Sequence, residues 1–120
     1  MHAEEIQQSL EKLKNSSQVI EATALVSNEG FIMASVLPEA LGEERIAGLS
    51  AAFMGLAERC AAEMGKGGPK QLFIQAELGY IVMMGVGNGT YLSVLATSQG
   101  KPGMLLFDMK KAAEEIKRLL

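Results

Sequence analysis

Aromatic residues, cysteine and histidine are scarce in this 120-residue chain. It contains no tryptophan, one cysteine and one histidine, and aromatics make up 5% of the residues. A lone cysteine excludes an internal disulfide and a cysteine-rich zinc site, which fits a reducing compartment. Because aromatics are few while apolar residues reach 48%, the core must be aliphatic.

An excess of positive charge and a long apolar run are also missing. The 11 lysines and arginines stand against 14 aspartates and glutamates, so we do not expect nucleic acid to bind through bulk charge. No run approaches the roughly 18 apolar residues of a membrane span, and Met1–Glu5 lacks the basic-then-apolar order of a secretory signal. We expect a cytoplasmic protein that does not insert into membranes.

Length and composition indicate one globular domain over residues 1–120. A charged fraction of 21% is typical of folded chains, and 120 residues leave room for one core. Periodicity and turn residues predict the order α-β-β-α-β-β-β-α. Consecutive hairpins, including one at Asn88-Gly89, favour a five-stranded antiparallel sheet with helices packed on it, an α+β fold. The predicted elements are helix Ala3–Asn15, strands Val19–Ser27 and Phe31–Val36, helix Glu43–Met64, strands Lys70–Ala76, Tyr80–Val86 and Thr90–Thr97, and helix Gly103–Leu120.

The second predicted helix is unusual because apolar or small residues surround it. Its interior glycines, Gly48 and Gly55, each cost about 1 kcal/mol relative to alanine, a cost that close approach of another backbone would offset. At 100° per residue, the side predicted to face the sheet comprises Ile46, Leu49, Phe53, Leu56, Ala57, Cys60 and Met64. The opposite side comprises Gly48, Ala51, Ala52, Gly55, Arg59 and Ala62.

Two interpretations account for this helix. It is either buried under a loop or the first helix, or it packs against the same helix of a second copy, since closed two-fold dimers are the commonest oligomers. The third strand raises a similar choice. Its residues Leu72, Phe73 and Ile74 are apolar on both faces, which fits an edge strand that pairs with another chain or an internal strand.

Few residues offer catalytic or metal chemistry. The glycine-rich stretches 65–68 and 85–89 lack the Lys-Ser/Thr pair of a phosphate loop, so we interpret both as turns. Cys60 has no histidine near it in sequence, which disfavours a nucleophile pair, and the carboxylates are spread over helix surfaces. We therefore expect no catalytic residue, no cofactor and no metal, and thus no enzyme.

The sequence resembles the Roadblock/dynein light chain family over essentially its whole length. The resemblance rests on residues 26–34 (VSNEGFIMA), the glycine- and alanine-rich helix Ile46–Cys60, Gly-Asn-Gly at 87–89, and the closing stretch 102–116. It implies a two-layer α+β unit that dimerises, with antiparallel second helices and with the third strands joining two sheets into one of ten strands. It would place at the dimer seam Gly48, Ala52, Gly55, Leu72, Phe73, Ile74 and Gln75.

The same resemblance implies a function. Stand-alone bacterial and archaeal members are similar to regulators or scaffolds of small Ras-like GTPases, so we expect a homodimer that binds such a GTPase. Its contact surface would lie on the paired second helices, at Ala51, Glu58, Arg59 and Ala62. Activation of GTP hydrolysis would work by repositioning residues of the GTPase, because Arg45 and Arg59 lie on a predicted helix and not in the mobile loop that an arginine finger needs.

Two other functions fit the same sequence. One is a scaffold or light-chain subunit, including one that pairs with a paralogue, which recruits a larger complex without affecting nucleotide turnover. The other is a small-molecule sensor, which needs a pocket, and we expect a chain this small to leave little room for one.

Overall fold

The computed structural model describes residues 2–120, which form three helices and five strands. The element order and the α+β class agree with the prediction, and the element bounds differ from it by one or two residues at most. In chain order the elements are α1 (Ala3–Asn15), β1 (Ile20–Ser27), β2 (Ile32–Val36), α2 (Glu43–Glu63), β3 (Gln71–Ala76), β4 (Gly79–Gly87), β5 (Thr90–Thr97) and α3 (Pro102–Leu119).

The strands form one antiparallel sheet in the order β2-β1-β5-β4-β3. β3 is therefore an edge strand, and the interpretation of it as an internal strand is wrong. The β4–β5 hairpin turns through Asn88 and Gly89, whose φ angles of 55° and 69° are both left-handed. Such a turn matches the twist of the strands that it joins, so the Asn-Gly prediction is confirmed.

Helices α1 and α3 together cover one face of the sheet, and α1 contacts β1 and β2 while α3 contacts β4. The apolar stripes of α1 and α3 are buried, apart from a half-buried Leu119, and comprise Ile6, Leu10 and Leu13 of α1 and Leu105, Met109, Ala112 and Ile116 of α3. These stripes enclose the main core with strand residues such as Leu92 and Val94, both 0% exposed. This helical layer covers one face of the sheet, and α2 lies on the other face.

Helix α2 lies on the other face, over β1 and β2, and it is rotated relative to the prediction. The residues that it buries are Ala47, Ser50 and Met54. Ile46 and Phe53, which we predicted to face the sheet, are half-buried. Small side chains at Ala47 and Ser50 let the helix backbone approach the strands closely, so the helix settles on this side.

Four residues predicted to lie against the sheet are exposed instead. Leu49, Leu56 and Met64 are 64%, 63% and 71% exposed, and the Cys60 thiol is exposed as well. The prediction was wrong here because apolar residues occur on more than one side of α2, so hydrophobicity does not determine which side meets the sheet. The leucines project beside the helix, over strands that it does not cover.

At Gly79, the first residue of β4, the backbone packs closely against the neighbouring strand β5. The φ of Gly79 is 156°, and a Cβ built there would overlap the carbonyl oxygen of Ala96 on β5. Gly79→Ala should therefore lower the free energy of unfolding by at least about 2 kcal/mol, measured by urea denaturation. Gly85→Ala is the matched control on the same strand, because no atom lies within 4 Å of its Cβ position. Equal unfolding midpoints for the two variants would contradict this packing.

Candidate functional site

A wide apolar groove runs between α2 and the part of the sheet that α2 leaves uncovered. Its volume is about 450 Å³, so the expectation that the chain has little room for a pocket is wrong. Residues of α2, of all strands but β2, and of the segment after β2 line it. They are Ala22, Thr23, Ala24, Leu37, Ile46, Leu49, Ser50, Ala52, Phe53, Leu56, Ile74, Ile81, Met83, Ser93 and Leu95.

The few polar side chains of the groove already have partners within the chain. Ser93 Oγ donates a hydrogen bond to Ser50 Oγ at 3.2 Å. The Thr23 hydroxyl lies on the opposite face of the sheet, where its Oγ1 donates to the carbonyl oxygen of Leu10 of α1 at 3.1 Å. The remaining surface is hydrocarbon. A polar ligand would therefore find no free hydrogen-bonding side chain here. An apolar surface of the right shape would bind favourably, because binding removes hydrocarbon from water.

The walls of the groove come from the two elements that the fold leaves only partly covered. Leu49 and Leu56 project from α2 on one side, and Ile74 of β3 and Ile81 of β4 form the other side. Leu49 and Leu56 are mostly exposed, and Ile81 is 38% exposed. Contiguous apolar exposure of this kind on a small domain marks an interaction site.

The two edges of the sheet differ in how well they are protected. At the β2 edge, Gln7 Nε2 of α1 donates a hydrogen bond to the carbonyl oxygen of Ser35 at 2.8 Å, and Ser35 Oγ donates to Glu43 at 2.6 Å. Within residues 2–120, β3 pairs with β4 on one side and with no strand on the other. The less protected edge, which can accept another strand, thus borders the apolar groove.

The residues predicted for a dimer seam fall into three places. Ala52 and Ile74 line the groove, and Leu72 packs beside it against the cluster that contains Met83. Phe73 and Gln75 point to the opposite face of the sheet because side chains alternate along a strand. The Phe73 ring there lies 5.3 Å from that of Tyr80.

Gly48 and Gly55, also predicted for the seam, lie outside the groove on an exposed flank of α2, with no atom within 4 Å of either Cβ position. Sequence reasoning missed Leu49 and Leu56 as groove residues because it had assigned them to the core of their own chain. It also missed Ile81, since nothing local indicates which side of a strand an adjacent helix leaves open.

The residues predicted to contact a partner lie on or next to the flank that carries the two glycines. Ala51, Glu58 and Ala62 follow helical spacing on this side, and a Cβ on Gly30 would lie 3.8 Å from the Ala51 Cβ. The β1–β2 turn thus borders the flank, and it presents Phe31, which is 66% exposed. Phe31 is a further residue that the sequence did not single out.

Two charged side chains on this surface interact with neighbouring residues of the same chain, one through an ion pair and one through a hydrogen bond. Arg59 Nε forms an ion pair with Glu63 at 3.0 Å on the exposed side of the helix, as expected for a surface arginine. The Tyr91 hydroxyl donates a hydrogen bond to Glu58 at 3.3 Å. Burial raises the pKa of Tyr91 above 10.0, and the negative charge and hydrogen bond of Glu58 add to the shift.

Residues 2–120 contain neither a metal-ligand cluster nor a membrane-spanning helix. In residues 2–120, no three His, Cys, Asp or Glu side chains are grouped so that they could hold a metal ion. No helix in this range combines the length and apolar character needed to cross a bilayer.

Comparison with known proteins identifies relatives of the whole unit. The sequence model of the Roadblock/LC7 domain matches residues 5–96. The uncharacterized protein MJ1340 of Methanocaldococcus jannaschii is 35% identical over 105 residues, which is 88% of this chain and 91% of that protein.

Solved structures share the fold at lower identity. MglB of Myxococcus xanthus superposes with a TM-score of 0.91 at 19% identity, over 98% of this chain and 88% of that one. The gliding protein MglB of Thermus thermophilus superposes with a TM-score of 0.88 at 18% identity, over 97% and 88% of the two chains.

The Tyr91–Glu58 contact predicts a pH dependence of stability. Because folding raises the pKa of Tyr91, the folded state holds this proton more tightly, so the stabilisation is complete below pH 10.0 and is lost as pH rises through the raised pKa. Tyr91→Phe should make the decline of the unfolding free energy above pH 10.0 shallower than in the unmodified chain. Tyr80→Phe is the matched control, and the same slope in both variants would contradict the assignment.

Proposed function

The chain belongs to the Roadblock/LC7 domain family, and from this membership we propose that it is a dimeric, non-enzymatic module that binds and regulates a small Ras-like GTPase in the cytoplasm. The observation that carries the proposal is the apolar groove beside α2. A surface made almost entirely of hydrocarbon can bind another apolar surface but supplies no catalytic groups. The family resemblance indicates which partners to test.

A second copy of the chain is the occupant that we propose for the groove. It would bring an α2 helix of matching apolar character over Leu49, Leu56 and Ile81, while its β3 pairs with the open β3 edge. Burying one of these leucines contributes up to about 2 kcal/mol to the free energy of association. In a two-fold dimer each such residue is buried twice, once from each copy. The seam would comprise Ala52 and Leu72–Gln75, with Gly48 and Gly55 where the two α2 backbones cross.

The GTPase would then contact the outer surface of the paired α2 helices. Ala51, Glu58, Arg59 and Ala62 are the residues that we propose for this contact, and the exposed Phe31 ring adjoins them. Arg59 is engaged with Glu63, so we propose that regulation works by repositioning GTPase residues and not by an arginine finger. The similarity in fold to the gliding protein MglB supports testing GTPases first.

Dimerisation through the groove predicts a specific effect of one charge. Leu56→Glu should weaken self-association at least about 100-fold, equivalent to about 3 kcal/mol, because the carboxylate would have to be buried in the seam. Sedimentation velocity over a range of concentrations measures the change. Leu78→Glu is the matched control, since Leu78 is 87% exposed in the β3–β4 turn.

The result of this experiment also separates the homodimer from its alternatives. Unchanged association of the Leu56→Glu variant would contradict the seam. If the unmodified chain does not self-associate at all, the homodimer is overturned in favour of a scaffold subunit whose groove awaits a paralogue.

The GTPase contact predicts a loss of binding without a loss of assembly. Ala62→Arg should weaken binding to the cognate GTPase at least about tenfold, because it places a bulky cation on the proposed contact surface. Ras-like GTPases of the source organism, loaded with GDP or with a non-hydrolysable GTP analogue, are titrated by calorimetry. Gln8→Arg on the exposed side of α1 is the control and should bind normally.

Nucleotide turnover in the same samples tests the proposed mode of regulation. Arg59→Ala should retain stimulation of GTP hydrolysis to within about twofold, whereas removal of a true arginine finger costs about 10³-fold or more. Loss of stimulation with binding retained would contradict the repositioning mechanism. Binding with no effect of the unmodified chain on turnover would favour the scaffold.

A further inference from the structure

A second groove lies on the opposite face of the sheet from the apolar one, between α3 and the strands β3 and β4. Its volume is about 300 Å³. The residues that line it are Lys70, Gln71, Met84, Gly85, Val86, Lys110, Ala113, Glu114 and Lys117. We call it the lysine groove. Neither the proposed dimer seam nor the proposed GTPase surface uses these residues, so its function is a separate question.

Positive charge is concentrated here although the chain as a whole carries a net charge of −3. Three exposed lysines line the groove against one carboxylate, that of Glu114. The ion pairs within residues 2–120 are His2–Glu5 and Arg59–Glu63, so none of the three ammonium groups is held within salt-bridge distance of a carboxylate of this chain.

The spacing of the lysines favours an extended ligand. Lys110 and Lys117 are seven positions apart on α3, which places their backbones about 10 Å apart along the helix axis. A peptide in the polyproline II form of extended backbone advances about 3.1 Å per residue and has three residues per turn, so carboxylates three residues apart lie on one side of it and span about 9 Å. Lys70, the residue before β3, supplies a third positive charge from the other wall of the groove.

The floor of the groove suits small apolar side chains. Met84 and Val86 are buried residues whose surfaces reach the groove, and Ala113 adds a methyl group from α3. The Cβ position of Gly85, between them in sequence, points to the opposite face of the sheet, because side chains alternate along β4 and Gly85 pairs with Tyr91. Met84, Val86 and Ala113 thus give the groove an apolar floor between its lysines.

We infer that the lysine groove binds an acidic peptide segment of a partner protein in extended conformation. Carboxylates at every third residue pair with the lysines, and a small apolar side chain between them packs on the floor formed by Met84 and Ala113. Lysine ammonium groups donate hydrogen bonds and accept none, which matches carboxylates. An apolar floor between separated charges fits a peptide better than a flat lipid surface.

Fluorescence anisotropy tests the inference directly. The probe is a fluorescein-labelled ten-residue peptide with glutamate at every third position and with valine and threonine between. The double variant Lys110→Glu/Lys117→Glu should bind it at least about tenfold more weakly. Lys12→Glu/Lys111→Glu changes the net charge equally outside the groove and should change the affinity less than about twofold.

An uncharged change separates the groove from bulk charge. Gln71 lines the groove, is exposed and lies opposite Met84 on the same face of the sheet. Gln71→Trp obstructs the groove without altering any charge, and it should also weaken binding of the peptide by about tenfold. A control peptide with lysine in place of glutamate should not bind. The same measurements at about 50 and 150 mM salt should show weaker binding at the higher concentration.

Three results would overturn the inference. The first is equal weakening by the two double variants, and the second is full affinity in Gln71→Trp. The third is co-sedimentation with phosphatidylserine vesicles that depends on Lys110 and Lys117 while the peptide fails to bind, which would assign the lysines to a lipid surface. None of these results bears on dimerisation through the apolar groove, so the two proposals fail independently.

Discussion

The contact between α2 and the sheet is the constraint on which the rest of the structure depends. A sheet of five strands is about 24 Å wide, whereas one helix with its side chains is about 10–12 Å in diameter. Two helices, α1 and α3, cover one face, but α2 alone serves the other. It sits over β1 and β2 on the small side chains of Ala47 and Ser50. Apart from the contacts of Ser50 with Ser93 and of Met54 with Met83, the remaining strands on this face are therefore left without cover.

The apolar groove, the exposed leucines and the open edge at β3 all follow from this imbalance. Leu49 and Leu56 are large apolar residues that a self-sufficient domain would bury, and they border strands of the same character. Chemistry within the groove is limited to apolar contact because Ser50 and Ser93 satisfy each other. These features support the proposed association with a second copy, and the proposed role in GTPase regulation uses surfaces that this association would leave free.

Much of the fold could be predicted from the sequence because local patterns determine it. The stripes of α1 and α3 contrast apolar with charged positions, so their phase relative to the core is unambiguous, and Asn88-Gly89 determines the last hairpin. The phase of α2 could not be predicted, since alanine, glycine and leucine occur on several of its sides. The glycines and small residues of α2 raised the dimer hypothesis, and the resemblance to Roadblock proteins added the seam residues but not the placement of Gly48 and Gly55 outside the groove.

Other features depend on contacts between residues far apart in the chain. The edge position of β3 follows from the order of the whole sheet, and the lysine groove joins Lys70 to Lys117 across the sheet and α3. No local pattern reports such a juxtaposition. Phe31 illustrates the same limit, because a large aromatic next to a turn is usually expected to be buried, and its 66% exposure is visible only in the structure.

The solution mass of the unmodified chain, measured by light scattering at about micromolar concentration, tests the central claim most directly. One chain has a mass of 12.8 kDa, and a second copy over the apolar groove predicts twice that value, independent of moderate dilution. A mass of 12.8 kDa for the folded chain at all concentrations would show that no second copy binds over the groove, and it would contradict the account.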